Sequence, residues 1–197
     1  MKYSKVRLGA IGWELPPEVV TSAELEARLA PAYRALRVEP GQLEAFTGIR
    51  ERRWWEPGFR LSEGATRAAR KALAASGVEA SELSALLYTG VCRENFEPAT
   101  ACAVAESLGL GGATAVYDVS NACLGVLNGI VDVANRIELG QIRAGLVVSC
   151  ESAREINDIA IARLLERPGM PLFKESLATL TGGSGAVAVL LTDGTLG

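Results

Sequence analysis

One cysteine lies where a strand-like sequence meets a helix-like one. The stretch YDVSNACLGVLNGIV, from Tyr117 to Val131, places Cys123 between an apolar run and a segment with helical spacing. The first N–H groups of a helix have no partner within it and favour an anion such as a thiolate. They can also stabilise the oxyanion that forms when a thiolate attacks a thioester carbonyl. Cys123 is therefore a candidate nucleophile, although its position alone favours a buried structural thiol.

The neighbours of Cys123 fit a site at the start of a helix. Ala122 and Gly125 are small and leave room for a substrate, so Gly125 is predicted to line the substrate site. Further along, apolar side chains recur at helical spacing and are predicted to pack this helix against a sheet. They are Leu124, Leu127, Val131 and Ala134.

Composition sets limits on the function. The chain has 197 residues, of which 49% are hydrophobic and 22% charged, as in an ordinary globular domain. A formal net charge of -3, with scattered charges, gives no basic surface for nucleic acid or anionic lipid. No segment is apolar over the roughly 18 residues that a membrane span needs, and the N-terminus does not resemble a signal peptide. We expect a cytoplasmic protein with no nucleic-acid partner and no membrane span.

The histidine and cysteine content narrows the chemistry. The chain has no histidine and so lacks the commonest general base and metal ligand. Its cysteines are too widely spaced for a CxxC metal site, and free thiols are predicted at Cys92, Cys102, Cys123 and Cys150. We predict no metal site and no cofactor. Any Cys-His chemistry at Cys123 needs a histidine from another polypeptide.

Apolar runs alternate with amphipathic segments along most of the chain. The predicted strands are VRLGAIGWEL, SALLYTGV, TAVYDVS, AGLVVSCE and GSGAVAVLLTDG. The predicted helices are SAELEARLAPAYRAL, capped by Ser22, LSEGATRAARKALAAS, capped near Ser62, ATACAVAESLGL and CLGVLNGIVDVANRIELG. Segments 40–60 and 152–181 break this pattern and are predicted to be loop-rich. Buried strands separated by helices indicate an α/β fold whose mainly parallel sheet is covered by helices on both faces.

Three segments carry a resemblance to a known family. SNACLGVLNGI, which contains Cys123, is similar to the nucleophile segment of thiolase-fold condensing enzymes, a group that includes ketoacyl-acyl carrier protein synthase III. TGIRERR, from Thr47 to Arg53, resembles the TGI-x-x-R segment of synthase III proteins, and TGGSGAVAVLL resembles the strand that closes the first half of their fold. The resemblance implies that residues 1–197 form one thiolase-like, βαβαβαββ-type N-terminal half, and that the C-terminal half lies outside this chain.

A fourth segment points to one branch of that family. ENFEPATA, from Glu94 to Ala101, resembles a segment of OleA-like enzymes in which a glutamate stands 26 residues before the nucleophile, as Glu97 stands before Cys123. The resemblance implies that Glu97 is the general base and that it reaches the active site of the neighbouring subunit in a dimer. The structural alternative for Glu97 is a capping carboxylate for the helix after Pro98.

The resemblance also implies a reaction. Cys123 would accept an acyl group from a long-chain acyl-CoA, and Glu97 would deprotonate a second acyl-CoA at its α-carbon. Claisen condensation would then give a 2-alkyl-3-ketoacyl-CoA. The second half of the fold supplies a histidine and an asparagine in this family, so we predict that a second polypeptide completes the enzyme and covers an otherwise exposed apolar face.

The expected mode of CoA binding departs from part of the family. Synthase III enzymes that use acetyl-CoA place a tryptophan and an arginine upstream of TGI, where this chain has Gln42 and Phe46. Cationic side chains that could meet CoA phosphates follow TGI, and they are Arg50, Arg52 and Arg53. Two of these three are expected to face solvent.

The sequence is also compatible with two other functions. The chain could be a non-catalytic scaffold or acyl-binding partner subunit, since it lacks histidine. It could also belong to an enzyme that initiates fatty-acid synthesis, although decarboxylative condensation with a malonyl carrier protein needs no base such as Glu97.

Overall fold

Strands and helices alternate along most of the chain, as the sequence predicts. The computed structural model describes residues 2–196. Its strands are Arg7–Glu14 (β1), Glu18–Thr21 (β2), Glu51–Trp54 (β3), Ala85–Tyr88 (β4), Ala115–Asp118 (β5), Ala144–Glu151 (β6) and Gly185–Thr192 (β7). Its α-helices are Ser22–Arg28 (α1), Ala30–Leu36 (α2), Gln42–Thr47 (α3), Leu61–Ser76 (α4), Thr100–Leu108 (α5), Gly125–Glu138 (α6), Arg154–Glu166 (α7) and Met170–Leu180 (α8).

The first of two structural units is built on a five-stranded sheet. This unit comprises residues 2–14, 59–151 and 185–196. Its strands lie in the order β1, β7, β6, β4, β5, and β4 is parallel to both β5 and β6. Strand β7 is antiparallel to β6 and β1, because the chain leaves this sheet after β6 and re-enters it in the opposite direction. The α/β class is confirmed, but the sheet is mixed rather than mainly parallel.

Helices cover both faces of this sheet. On one face, Val133 and Ile137 of α6 pack in a buried cluster with Leu87 and Val147. On the other face, α4 lies so close to β6 that a Cβ on Gly64 would come within 2.6 Å of the Cys150 sulfur. The predicted covering of both faces is confirmed.

The second unit has its own core and corrects the prediction of loop-rich segments. It comprises residues 15–58 and 152–184, with β2 and β3 paired antiparallel. Segment 40–60 contains α3 and β3, and segment 152–181 contains α7 and α8. The glycine and prolines of RPGMPLF do not disrupt α8, because Pro171 lies in its first turn, where no intrahelical N–H bond is lost. The buried cluster of this unit includes Leu25, Tyr33, Trp54, Leu164 and Phe173.

Both predicted helix caps are also corrected. Thr21, not Ser22, caps α1, and its hydroxyl accepts a hydrogen bond from the Glu24 N–H while the Glu24 carboxylate accepts one from the Thr21 N–H. Ser62 lies inside α4, after Arg60 at the N-cap, and donates to a carboxylate rather than capping the helix. Within residues 2–196, no helix is both long and apolar enough to cross a membrane.

Candidate active site

Cys123 lies in a single 3₁₀ turn, Ala122–Leu124, between the end of β5 and the start of α6. Its side chain is exposed, whereas Cys150 is buried. The turn is held by the Leu124 N–H, which donates to the Asn121 carbonyl oxygen at 2.9 Å. The predicted position of Cys123 at a strand-to-helix turn is confirmed, and its exposure excludes the buried structural thiol.

The residue before Cys123 makes this turn sharp. Ala122 has a φ of 43°, in the left-handed region that non-glycine residues rarely occupy. Such a conformation costs an L-amino acid roughly 1–2 kcal/mol. The strain is consistent with a turn that must direct the next side chain, that of Cys123, outward from the sheet edge.

The buried face of α6 includes Ala134, as predicted, but not the predicted leucines. A Cβ on Gly125 would come within 2.4 Å of the Thr89 carbonyl oxygen, and one on Gly129 within 2.7 Å of Val147. The buried residues of α6 are Gly125, Gly129, Val133, Ala134 and Ile137. Leu124 and Leu127 are instead 54% and 58% exposed, so the predicted packing role of these two leucines is wrong. The absence of a side chain at Gly125 is explained by packing, and its substrate contact stays a prediction.

Several large apolar side chains are exposed on the segments around Cys123. Leu124 and Leu127 follow it, and Val91 and Phe96 lie in the loop between β4 and α5, with Phe96 95% exposed. Monomeric proteins seldom leave a large apolar surface open to water.

Glu97 lies in the loop after β4, and Cys123 lies in the turn after β5, the next strand of the sheet. Because β4 and β5 are parallel, both segments leave the same edge of the sheet. The Glu97 side chain is exposed and forms no hydrogen bond or ion pair within residues 2–196, and no bond joins it to Cys123. The peptide bond from Glu97 to Pro98 is cis.

The capping alternative for Glu97 is wrong. The Thr100 and Ala101 N–H groups, in the first turn of α5, donate to the two carboxylate oxygens of Asp118 at 3.0 and 2.9 Å. Asp118, the last residue of β5, therefore has the capping role that the sequence analysis considered for Glu97. The Glu97 carboxylate is thus free of a structural role in capping α5.

Carboxylates also hold the beginning of the Glu97 loop. Glu151, at the end of β6, accepts hydrogen bonds from the Val91 N–H at 2.6 Å and the Cys92 N–H at 3.1 Å. Glu94 accepts two bonds of 2.7 Å from the N–H and hydroxyl of Ser62.

The ion pair of Glu94 affects its protonation. Burial alone would raise the pKa of Glu94, but the Ser62 hydrogen bonds and the Arg60 guanidinium at 3.2 Å outweigh burial and hold the pKa below its ordinary value. Glu94 is therefore a charged anchor rather than a candidate general base.

The predicted phosphate-binding arginines lie in the second unit and differ in exposure. Arg50 and Arg53 are exposed, as expected for two of the three. Arg52 is buried, and it donates to the Ser22 hydroxyl at 2.9 Å. The proposed phosphate contact of Arg52 is wrong, because its guanidinium ties β3 to the start of α1 and is closed off from a large ligand.

A different pair of cations lies beside an apolar cavity of the second unit. This cavity, of about 530 Å³, is lined by Gln42, Phe46 and Phe173, by the exposed cations Arg37 and Lys174, and by the exposed carboxylate of Glu39. Neither cation forms an ion pair within residues 2–196. Sequence reasoning missed both cations, because α2 and α8 bring them together from distant parts of the chain. It also missed Asp118, although an acid ending an apolar strand is a detectable signal.

The comparisons with known proteins agree with this geometry. No family model matches the chain. The acyl-CoA:acyl-CoA alkyltransferase of Shewanella oneidensis is 62% identical over 100% of this chain and 56% of its own length. That of Xanthomonas campestris is 34% identical over 97% of this chain and 57% of its own length. The beta-ketoacyl-[acyl-carrier-protein] synthase III of Solibacter usitatus is 30% identical over 96% of this chain. The chain thus spans about half the length of the curated relatives it matches.

Solved structures give the same result. Cerulenin-bound OleA of Xanthomonas campestris superposes with a TM-score of 0.93 at 33% identity, covering 97% of this chain and 56% of that one. Other crystals of that protein carry variants of a glutamate, a cysteine and a histidine, and its glutamate and cysteine lie 26 positions apart.

The mixed sheet, its two helical layers and the exposed cysteine before α6 define a thiolase-like fold. Over the part of that fold which it contains, the chain is similar in sequence and in structure to OleA-like, synthase III-related proteins.

Proposed function

We propose that this chain carries the nucleophile and the general base of an acyl-CoA condensing enzyme. The observation that carries the proposal is the exposed Cys123 in a strained turn directly before α6, with Glu97 on the loop after the neighbouring strand. The spacing of 26 residues between them equals that of the glutamate and cysteine varied in the Xanthomonas OleA crystals.

The first step is acylation of Cys123. Its thiolate attacks the thioester carbonyl of a long-chain acyl-CoA, the bond from the carbonyl carbon to the CoA sulfur breaks, and CoA leaves as a thiolate that takes up a proton. The product is an acyl thioester on Cys123. Covalent catalysis of this kind divides one difficult reaction into two easier ones.

The second step is condensation. The Glu97 carboxylate takes the α-proton of a second acyl-CoA, and the resulting carbanion attacks the acyl carbonyl on Cys123. A carbon–carbon bond forms, the bond to the Cys123 sulfur breaks, and a 2-alkyl-3-ketoacyl-CoA leaves. The exposed Glu97, without a structural partner within residues 2–196, suits a base that acts on a substrate or reaches across a dimer.

The rest of the fold comes, in this proposal, from a second polypeptide that carries the histidine and asparagine, and completed protomers assemble as dimers. The lack of histidine in this chain supports this completion, because a crystal variant of the Xanthomonas OleA alters a histidine. The exposed apolar side chains Val91, Phe96, Leu124 and Leu127 support it as well. The completed protein is this chain together with that polypeptide.

We propose that the CoA part of the substrate binds in the cavity lined by Phe46, Arg37 and Lys174, and not against Arg52 as first expected. An exposed aromatic ring and two cations that form no ion pair within residues 2–196 suit an adenine and phosphates. Arg50 and Arg53 stay candidates for further phosphate contacts.

The test is formation of the acyl-enzyme. The completed protein is incubated with a long-chain acyl-CoA or with the p-nitrophenyl ester of the same fatty acid. The intact mass of the protein is then measured. We expect a mass increase of one acyl group on this chain, absent in Cys123→Ala and retained in Cys102→Ala, which removes another exposed thiol. No adduct on the completed protein would favour the non-catalytic scaffold. An adduct that condenses with a malonyl carrier protein rather than with acyl-CoA would favour fatty-acid initiation.

A further inference from the structure

Asp118 stands between the two segments that carry Cys123 and Glu97. Its carboxylate accepts hydrogen bonds from the Thr100 and Ala101 N–H groups at 3.0 and 2.9 Å. Thr100 comes three residues after Glu97, and Asp118 comes five residues before Cys123. One side chain therefore joins the end of the Glu97 loop to the strand that leads into the Cys123 turn.

The backbone of Asp118 is fixed independently of its side chain. Asp118 pairs with Tyr88 across the parallel strands β4 and β5, and the next N–H, that of Val119, donates to the Tyr88 carbonyl oxygen at 2.8 Å. The side chain of Asp118 is therefore a fixed support for α5 rather than a group that α5 holds in place.

The Glu97 loop depends on its two ends. Within the part of the chain that the structure describes, residues 95–98 form no hydrogen bond of their own. The end before Glu97 is held by Glu94, which binds Ser62 at the start of α4. The end after Glu97 is held by Asp118 through Thr100 and Ala101.

We propose that Asp118 is a positioning residue for the condensation step: its two hydrogen bonds to the first turn of α5 fix the Glu97 loop relative to the strand that carries Cys123. This inference rests on the proposed function, because it assumes that Glu97 acts as the base. Since β5 stays paired without the Asp118 carboxylate, the side chain supports the position of Glu97 more than that of Cys123.

The decisive variant is Asp118→Asn in the completed protein. Asparagine has the same shape but one acceptor oxygen, so its NH2 group opposes one of the two N–H donors. We expect acylation of Cys123 to stay within about twofold of the parent, and condensation to fall at least about tenfold, as is typical when a reacting group is displaced. Glu138→Gln is the control for removing a carboxylate charge, because Glu138 also accepts hydrogen bonds from two consecutive backbone N–H groups, those of Ser4 and Lys5, but on a single oxygen. We expect that control to leave both steps unchanged.

A double variant separates positioning from an independent role. If Asp118 acts through Glu97, Asp118→Asn should add no loss of condensation to that of Glu97→Gln. Condensation losses of the two single variants that multiply in the double variant would overturn the positioning role. So would equal losses of acylation and condensation in Asp118→Asn, or an unchanged rate of condensation in that variant. Unchanged condensation in Glu97→Gln would instead overturn the proposed function.

A second variant keeps the proposal testable if Asp118→Asn does not fold. Thr100→Pro removes one of the two N–H donors from the other side, at a helix position that proline tolerates, and Ala99 already has extended backbone angles of φ -51° and ψ 143°. Thr100→Ala measures what the side chain alone contributes. We expect the proline variant to lose condensation selectively relative to the alanine variant, and equal rates in the two would overturn the proposal.

Discussion

Gly125 lies against the backbone of Thr89, so closely that a Cβ at Gly125 would stand 2.4 Å from the Thr89 carbonyl oxygen. Real Cβ atoms do not approach a carbonyl oxygen this closely, and a backbone atom cannot move aside as a side chain can. Gly125 is also the first residue of α6, two positions after Cys123. The close approach of α6 to β4 therefore sets the height of the cysteine above the sheet.

Gly125→Ala should displace the start of α6 and with it the Cys123 turn. Overpacking of this kind costs about 1–3 kcal/mol, so we expect a matching loss in the free energy of unfolding in urea and slower acylation. Gly112→Ala is the control, because a Cβ there would meet no atom within 4 Å. Equal acylation rates in the two variants would show that the contact with Thr89 does not position Cys123.

Ala122 allows a separate test of the turn. At a φ of 43° a β-branched residue is more strongly disfavoured than alanine, so Ala122→Val should lower the free energy of unfolding by about 1 kcal/mol, a typical size for a destabilising substitution, and slow acylation. Ala122 is exposed, so within this chain the valine should meet no packing obstacle.

Ala122→Gly is the companion to that variant. Glycine relieves the strain but also increases the freedom of the unfolded chain, so the two effects should nearly cancel in stability. Acylation measured by intact mass should fall less than in the valine variant. A valine variant as stable and as fast as the parent would contradict a strained turn at Ala122.

The strands and the cysteine turn could be predicted from local pattern, because β4, β6 and β7 are apolar runs bounded by turn residues. The face of α6 that packs on the sheet could not be predicted in this way. Leu124 and Leu127 have the expected spacing, yet the sheet contacts the glycine face, since only residues without side chains allow α6 to approach Thr89 and Val147. Likewise, no local pattern distinguishes the buried Arg52 from the exposed Arg50 and Arg53, because its burial depends on the distant α1.

Glu94 predicts a dependence of stability on pH. Its pKa is lower in the folded protein than the ordinary value of 4.5. A depressed carboxyl pKa stabilises the fold fully above the unfolded value, and the contribution is lost as the pH falls through the folded pKa. The free energy of unfolding of the completed protein should therefore decline below about pH 4.5, the ordinary value for this carboxyl.

Glu94→Gln should lower the free energy of unfolding near neutral pH by about 1.5–3 kcal/mol, the scale of one hydrogen bond to a charged group. It should also make the decline in stability at acid pH less steep. Glu24, Glu138 and Asp193 also have lowered pKa values, chiefly through hydrogen bonds from Thr21, Ser4 and Thr195 respectively. The difference in the free energy of unfolding between parent and variant therefore gives the contribution of Glu94 alone. Urea unfolding at several pH values measures it, and parallel curves for the two proteins would contradict the assignment.

The cations of the second unit predict a difference between two kinds of substrate. Arg37 and Lys174 line the cavity that contains Phe46 and have no ion-pair partner within residues 2–196. If they bind CoA phosphates, Arg37→Gln and Lys174→Gln should each raise the KM for acyl-CoA about two- to fivefold, as expected for loss of one solvent-exposed charged contact. The KM for the p-nitrophenyl ester, which lacks CoA, should not change. Arg163→Gln is the control, since Arg163 is an exposed cation of the same unit outside this cavity. Equal changes for both substrates would place the CoA contacts elsewhere.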